Sequence, residues 1–175
     1  MKKRKKAQVW VETVIYTLIG LTIMGALIAV ITPRVNLMID RAIVSQSMDS
    51  LNFINGQVLD SYDKGAGNQR AISLNVKKGE YLIDSASDSI SFILENTGYM
   101  ASQINEATPQ GDLIKITRDR GNKKYDVSIT LHYDNMNLTY QNKEMNRTFT
   151  TSSTSYDLII SYLGGSDKKI NIESV

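Results

Sequence analysis

Residues 13–32 form an apolar run without one charged side chain, and five consecutive basic residues, Lys2, Lys3, Arg4, Lys5 and Lys6, precede it. As an α-helix a run of this length spans about 30 Å, the thickness of a bilayer's hydrocarbon. Lipid offers the backbone no water, so a single crossing segment has to close its hydrogen bonds within itself as a helix. The cationic tail resists translocation and holds the short N-terminus in the cytoplasm, which places everything after Pro33 outside. Glu12 stands at the inner edge of the run. A carboxylate there is costly unless paired, which makes it a functional candidate.

Two simpler readings compete. A secretory signal peptide has a shorter apolar core followed by a small-residue cleavage site. Here the run ends in Ile31-Thr32-Pro33-Arg34 and offers no such site. An uncleaved signal anchor needs only the basic flank and the apolar run, so it stays open, but it gives Glu12 no task.

The stretch Lys5-Lys6-Ala7-Gln8-Val9-Trp10-Val11-Glu12 resembles the class III signal peptide of type IV pilins, and archaeal pilin-like proteins in particular. The match covers roughly the first thirty residues; the basic run, the small residue, Gln and Glu all fall at the family's spacing. Ala7 stands where the family more often has glycine, and Trp10 where it has a small residue. The resemblance implies cleavage between Ala7 and Gln8 by a membrane-embedded prepilin peptidase, with the apolar helix retained. Glu12 would then be the family's assembly glutamate, pairing with the new Gln8 amine of a neighbouring subunit. It further implies a pilus assembly ATPase and a membrane platform protein as partners. The archaellin variant fits less well, because its glycine-rich start after the cut is absent.

Removing residues 1–7 leaves 15 basic and 18 acidic residues, a formal charge of −3, so a nucleic-acid surface is not indicated. The chain has no cysteine. An exported domain must then hold itself together by its core alone, and thiol catalysis and thiolate metal sites are excluded.

Beyond Pro33, Val44, Met48, Leu51, Ile54, Val58 and Tyr62 recur at helical spacing. The pattern predicts one long helix over 8–63, spanning the membrane over about 13–32 and amphipathic over about 36–62. Pro33 is expected to kink or interrupt it. Gly25 and Ala29 make a small-xxx-small pair suited to close helix approach. Gly65 and Gly67 mark a linker over 64–70.

From residue 71 to 175 the period changes to two. Ile72, Leu74 and Val76 alternate with polar residues, as do Val127, Ile129, Leu131 and Tyr133, then Leu158, Ile160 and Tyr162, then Ile170 and Ile172. Ile90, Phe92 and Leu94 with Ile93 read as a strand buried on both faces. Tyr81 and Ile83, Ile114 and Ile116, and Leu138 and Tyr140 add shorter ones. Gly121-Asn122 and residues 164–167 read as hairpin turns. Seven to nine such strands predict an antiparallel β-sandwich-like domain, giving an α+β chain with the outline of a pilin lollipop.

Little else carries chemistry. His132 is a lone histidine on the polar side of a strand. Asp84 and Asp88 lack a calcium-loop pattern and read as a polar turn. Residues 65–67 lack the lysine of a phosphate loop. No nucleophile, base and oxyanion site assemble, so the reading is no enzyme and no cofactor. Asn137-Leu138-Thr139 and Asn146-Arg147-Thr148 are glycosylation sequons in the domain expected outside. The hydroxyl-rich residues 148–155 suit O-glycans or an edge strand and turn.

The sequence reading is therefore a structural subunit of a type IV pilus-like surface filament, bundled through its N-terminal helices and serving adhesion or motility. The alternatives are an uncleaved, membrane-anchored β-domain binding module and a minor pilin or pseudopilin that primes assembly.

Overall fold

One helix, α1 (Lys3–Asp63), runs from the basic tail through the apolar run and the amphipathic stretch. The computed structural model describes residues 3–175, with side chains from residue 9 onward. By its contacts the chain divides into two compact units, Met1–Ile39 and Asp40–Val175, and α1 contributes to both.

In the first unit every described side chain from 9 to 39 is exposed, and α1 is long and apolar enough there to cross a membrane. Its threonine hydroxyls are satisfied locally. The hydroxyls of Thr13, Thr17, Thr22 and Thr32 donate to the carbonyls of Val9, Thr13, Leu18 and Ile28 at 2.7–2.9 Å, which removes a free donor from an apolar surface. Pro33 does not interrupt the helix as expected: α1 continues through it. Proline deletes one i to i−4 bond, and the intact turns on both sides carry the helix on.

The second unit begins with the docked half of α1. Val44, Leu51, Ile54 and Val58 are buried as the spacing predicts, with Met48 and Tyr62 half-buried. Gly65 and Gly67, both at φ 90°, turn the chain after Asp63. β1 (Gln69–Leu74) then starts inside the segment expected as linker.

The remaining strands are β2 (Glu80–Asp84), β3 (Ser89–Thr97), β4 (Thr108–Gln110), β5 (Leu113–Gly121), β6 (Lys124–His132), β7 (Leu138–Tyr140), β8 (Arg147–Thr150), β9 (Tyr156–Gly164) and β10 (Lys169–Ser174). They form a four-stranded sheet in the order β1-β9-β10-β7 and a six-stranded sheet in the order β4-β5-β6-β3-β2-β8. The class is α+β, with two sheets and the docked part of α1 sharing one core. Ile54, Ile72, Tyr81, Phe149, Leu158 and Ile172, drawn from the helix and both sheets, line a void of only about 10 Å³ at its centre.

The sheets are not wholly antiparallel, as expected. β7 and β10 run parallel, with Leu138, Thr139 and Tyr140 opposite Ile170, Asn171 and Ile172. Alternation reports which face a residue takes, but carries no strand direction; β8 and β9 intervene as the long connection a parallel pair requires.

Other details also depart from the sequence reading. β3 buries Ile90, Phe92 and Leu94 but leaves Ile93 half-exposed, so one face is buried, not two. In β5 the inward residues are Leu113 and Thr117, while Ile114 and Ile116 face the half-exposed side. The β5–β6 hairpin pairs Gly121 with Lys124 and turns on Asn122 and Lys123, at φ 53° and 56°. These are the left-handed angles of a two-residue turn, one position later than expected.

Candidate functional site

The exposed apolar part of α1 holds Glu12, Gly20 and Gly25. Glu12 is exposed one turn into the described segment, with Val9, Val11, Val14 and Ile15 around it. Among the described residues nothing lies within 4 Å of where a Cβ on Gly20 or Gly25 would stand. Ala7 and Gln8, the expected cleavage pair, lie outside the residues whose side chains are described, as does the pairing partner expected for Glu12.

Asp40, the first residue of the second unit, was not singled out by the sequence reading. It lies on the same helix stripe as Val44 and Leu51 and is 4% exposed. Lys78, in the β1–β2 loop, donates to one carboxylate oxygen. The Thr97 hydroxyl at 2.6 Å and the Gly98 amide at 3.3 Å donate to the other. Burial pushes the carboxyl up, but Lys78, Thr97 and Gly98 together outweigh it and hold Asp40 below the ordinary carboxylate range. The arrangement clips this turn of α1 to the β1–β2 loop and to the end of β3.

Two more polar residues on the stripe do similar work. Asn55 donates from Nδ2 to Asp112 Oδ2 at 2.9 Å, tying α1 to the β4–β5 turn. Ser61, fully buried, donates to the Asn68 carbonyl at 3.0 Å and closes the helix end. Burial first, and then the Asp112 carboxylate, push the Tyr133 hydroxyl well above its usual range, so this phenol stays protonated at any physiological pH.

One flank of docked α1 is open. A groove of about 470 Å³ runs between it and the β1–β2 segment, lined by Ile43, Ser50 and Phe53 on one side and Leu74, Val76 and Lys78 on the other. Phe53 stands half-exposed beside it.

The remaining candidates take mundane places. His132 is exposed at the end of β6. Asp84 and Asp88 bracket the β2–β3 turn: Asp84 accepts from the Ala86 amide at 3.1 Å and Asp88 from the Leu138 amide at 2.7 Å. Among the described residues no group of three or more His, Asp or Glu side chains gathers as a metal site. Residues 148–150 lie in β8, an edge strand, and residues 151–155 form a loop, in line with the edge-strand reading of this hydroxyl-rich stretch.

The two sequons differ. Asn146 is exposed, and its Oδ1 accepts from the Ser85 amide at 3.1 Å. Asn137 is half-buried, its Oδ1 enclosed without a hydrogen-bond partner.

Compared with protein-family models, with curated proteins and with solved structures, the chain matches none.

Proposed function

We propose that this chain is a type IV pilin-like subunit of a surface filament, with a structural and not a catalytic role. The observation that carries the reading is the length of exposed apolar helix. Residues 9–39 make about 46 Å of helix against about 30 Å of bilayer hydrocarbon. Beyond Pro33 the helix still exposes Val35, Leu37, Met38 and Ile39. A simple anchor gains nothing from about one and a half further turns of this kind, because hydrocarbon no longer covers them. Helices of other copies do, and burying such surface from water is favourable at about 25 cal/mol per Å².

In this reading a prepilin peptidase cuts between Ala7 and Gln8, and the chain is first a single-pass membrane protein with its N-terminus inside. An assembly ATPase and platform protein then drive subunits into a filament whose β domains face outward, for adhesion or motility. Glu12 selects the register by pairing with the Gln8 amine of a neighbour, since an unpaired carboxylate in lipid costs about 2.5–3.5 kcal/mol at mid-helix and less near its edge.

Electron microscopy of surface filaments, joined to mass spectrometry of their subunits, tests this. Filaments containing the chain with Gln8 as first residue are the expected result. Protein found only in membranes, with residues 1–7 intact, would point to the uncleaved anchor instead.

A further inference from the structure

We propose that Asn146 is a glycan acceptor and that Asn137, which carries the same three-residue motif, is not. The inference rests on the second unit lying outside the cell, as in the function proposed above.

An Asn-x-Thr acceptor has to offer two groups at once: the asparagine amide nitrogen that takes the sugar, and the threonine hydroxyl two residues on, which the transferase also reads. At Asn137 the second group is sealed. Thr139 is 0% exposed, within β7. Its hydroxyl is spent on the Ile170 carbonyl at 3.2 Å and lies 3.1 Å from Asn171 Oδ1. The backbone is committed as well: the Ile170 amide donates to the Asn137 carbonyl at 2.8 Å, and the Asn137 amide donates to the Asp167 carbonyl at 3.2 Å. Presenting Asn137 to a transferase that acts on the folded domain requires peeling β7 from β10, and with it one side of the four-stranded sheet.

At Asn146 nothing has to open. Residues 141–147 are all exposed, and so is Thr148. Phe149 takes the inward position of β8, which turns Thr148 to the solvent face. Among the described residues β8 pairs only with β2 and closes one edge of its sheet, with no further strand on its free side. The Ser85 amide holds Asn146 by its oxygen, Oδ1. Among the described residues Nδ2 donates no hydrogen bond, and a sugar on that nitrogen leaves the Ser85 contact intact.

The transfer needs a donor of one chemical class, a polyprenyl-phosphate-linked oligosaccharide supplied by a membrane transferase. Asn146 Nδ2 forms a bond to the anomeric carbon while the carbon–oxygen bond to phosphate breaks. The lipid phosphate departs with that electron pair, and Nδ2 gives one proton to a base.

The test is the intact mass of the full-length protein purified from its own cells. Wild type and Asn137→Gln should carry the same excess over the bare chain. Asn146→Gln and Thr148→Ala should lose it completely, the second while keeping the Asn146–Ser85 bond, and Thr148→Ser should restore it. Excess mass that survives Asn146→Gln, or vanishes in Asn137→Gln, overturns the assignment, and so does a wild-type protein of bare mass. Because the chain has no cysteine, an Asn146→Cys variant reports location cleanly with a membrane-impermeant maleimide on whole cells. Labelling with a bare wild-type mass sinks the glycan and leaves export standing. No labelling of whole cells, with labelling after lysis, sinks both.

Discussion

Replacing Lys78 by methionine keeps most of the side chain's stem and deletes its ammonium, leaving the Asp40 carboxylate buried with two donors instead of three. Asp40 is almost wholly enclosed and Lys78 is 45% exposed, so the charge left behind suffers more than the charge removed. Losing one partner of a buried pair costs about 3–5 kcal/mol. Water already screens the Lys78 head, which brings the expected loss to about 2 kcal/mol at neutral pH. The sign with pH follows from protonation. Asp40 is held below its ordinary value when folded, so its contribution is present above about pH 3.9 and is lost as pH falls through the lower folded value. A protonated Asp40 has no use for Lys78. The stability gap between wild type and Lys78→Met should therefore be widest at neutral pH and should close as pH drops through the carboxylate range. Urea denaturation of the full chain in detergent micelles measures it, followed by tyrosine near-ultraviolet circular dichroism because Trp10 lies in the apolar part of α1. A gap below about 0.5 kcal/mol at pH 7, the ordinary range of surface substitutions, or one unchanged by acid, refutes the clip.

Glu12→Ala should insert, be processed and accumulate as wild type does, yet yield few filaments by electron microscopy; filaments of normal number and length would remove the assembly role. Ala7→Leu should leave residues 1–7 attached, read by N-terminal sequencing of membrane protein, because a small-residue subsite does not admit leucine. Gly79→Ala should destabilise the β domain by about 1–3 kcal/mol or more in the same urea assay. Gly79 sits at φ 79° and its new Cβ would fall 2.6 Å from the Ile93 carbonyl oxygen, so a stability within error of wild type counts against the packing there.

Much of the second unit was readable because its cues are local. The stripe of Val44, Leu51, Ile54 and Val58 and the alternations of Val127, Ile129 and Leu131 reflect one buried face each, and these residues are buried. What escaped depends on partners distant in sequence. Asp40, Ser47, Asn55 and Ser61 share the buried stripe, and a carboxylate four residues before Val44 was a signal, but its acceptance there depends on Lys78 and Thr97. β4 contains Pro109 and no alternation, and it exists only because β5 offers an edge. The burial of Leu113 and Thr117 in place of Ile114 and Ile116 follows from register with β6, which no local pattern encodes. The sequons were legible as strings, whereas the difference between them belongs to the pairing of β7 with β10. The expected cleavage pair stays a sequence argument, since it precedes the described side chains.

The seat of β10, antiparallel to β9 and parallel to β7, sets a schedule for folding. β1 has no neighbour in its sheet until β9 arrives, roughly 90 residues later, and β7 has none until β10 follows β9. At about 5–20 residues per second of synthesis, β1 waits several seconds with its edge unpaired. Closure of the four-stranded sheet therefore waits for β10 and is dominated by distant contacts, which places the domain among slow folders. A chain truncated before β10 retains every residue of the six-stranded sheet yet lacks the strand that joins β7 to β9. Such a chain should be a substrate for proteases, so the docking of β10 acts as the checkpoint before this domain becomes resistant.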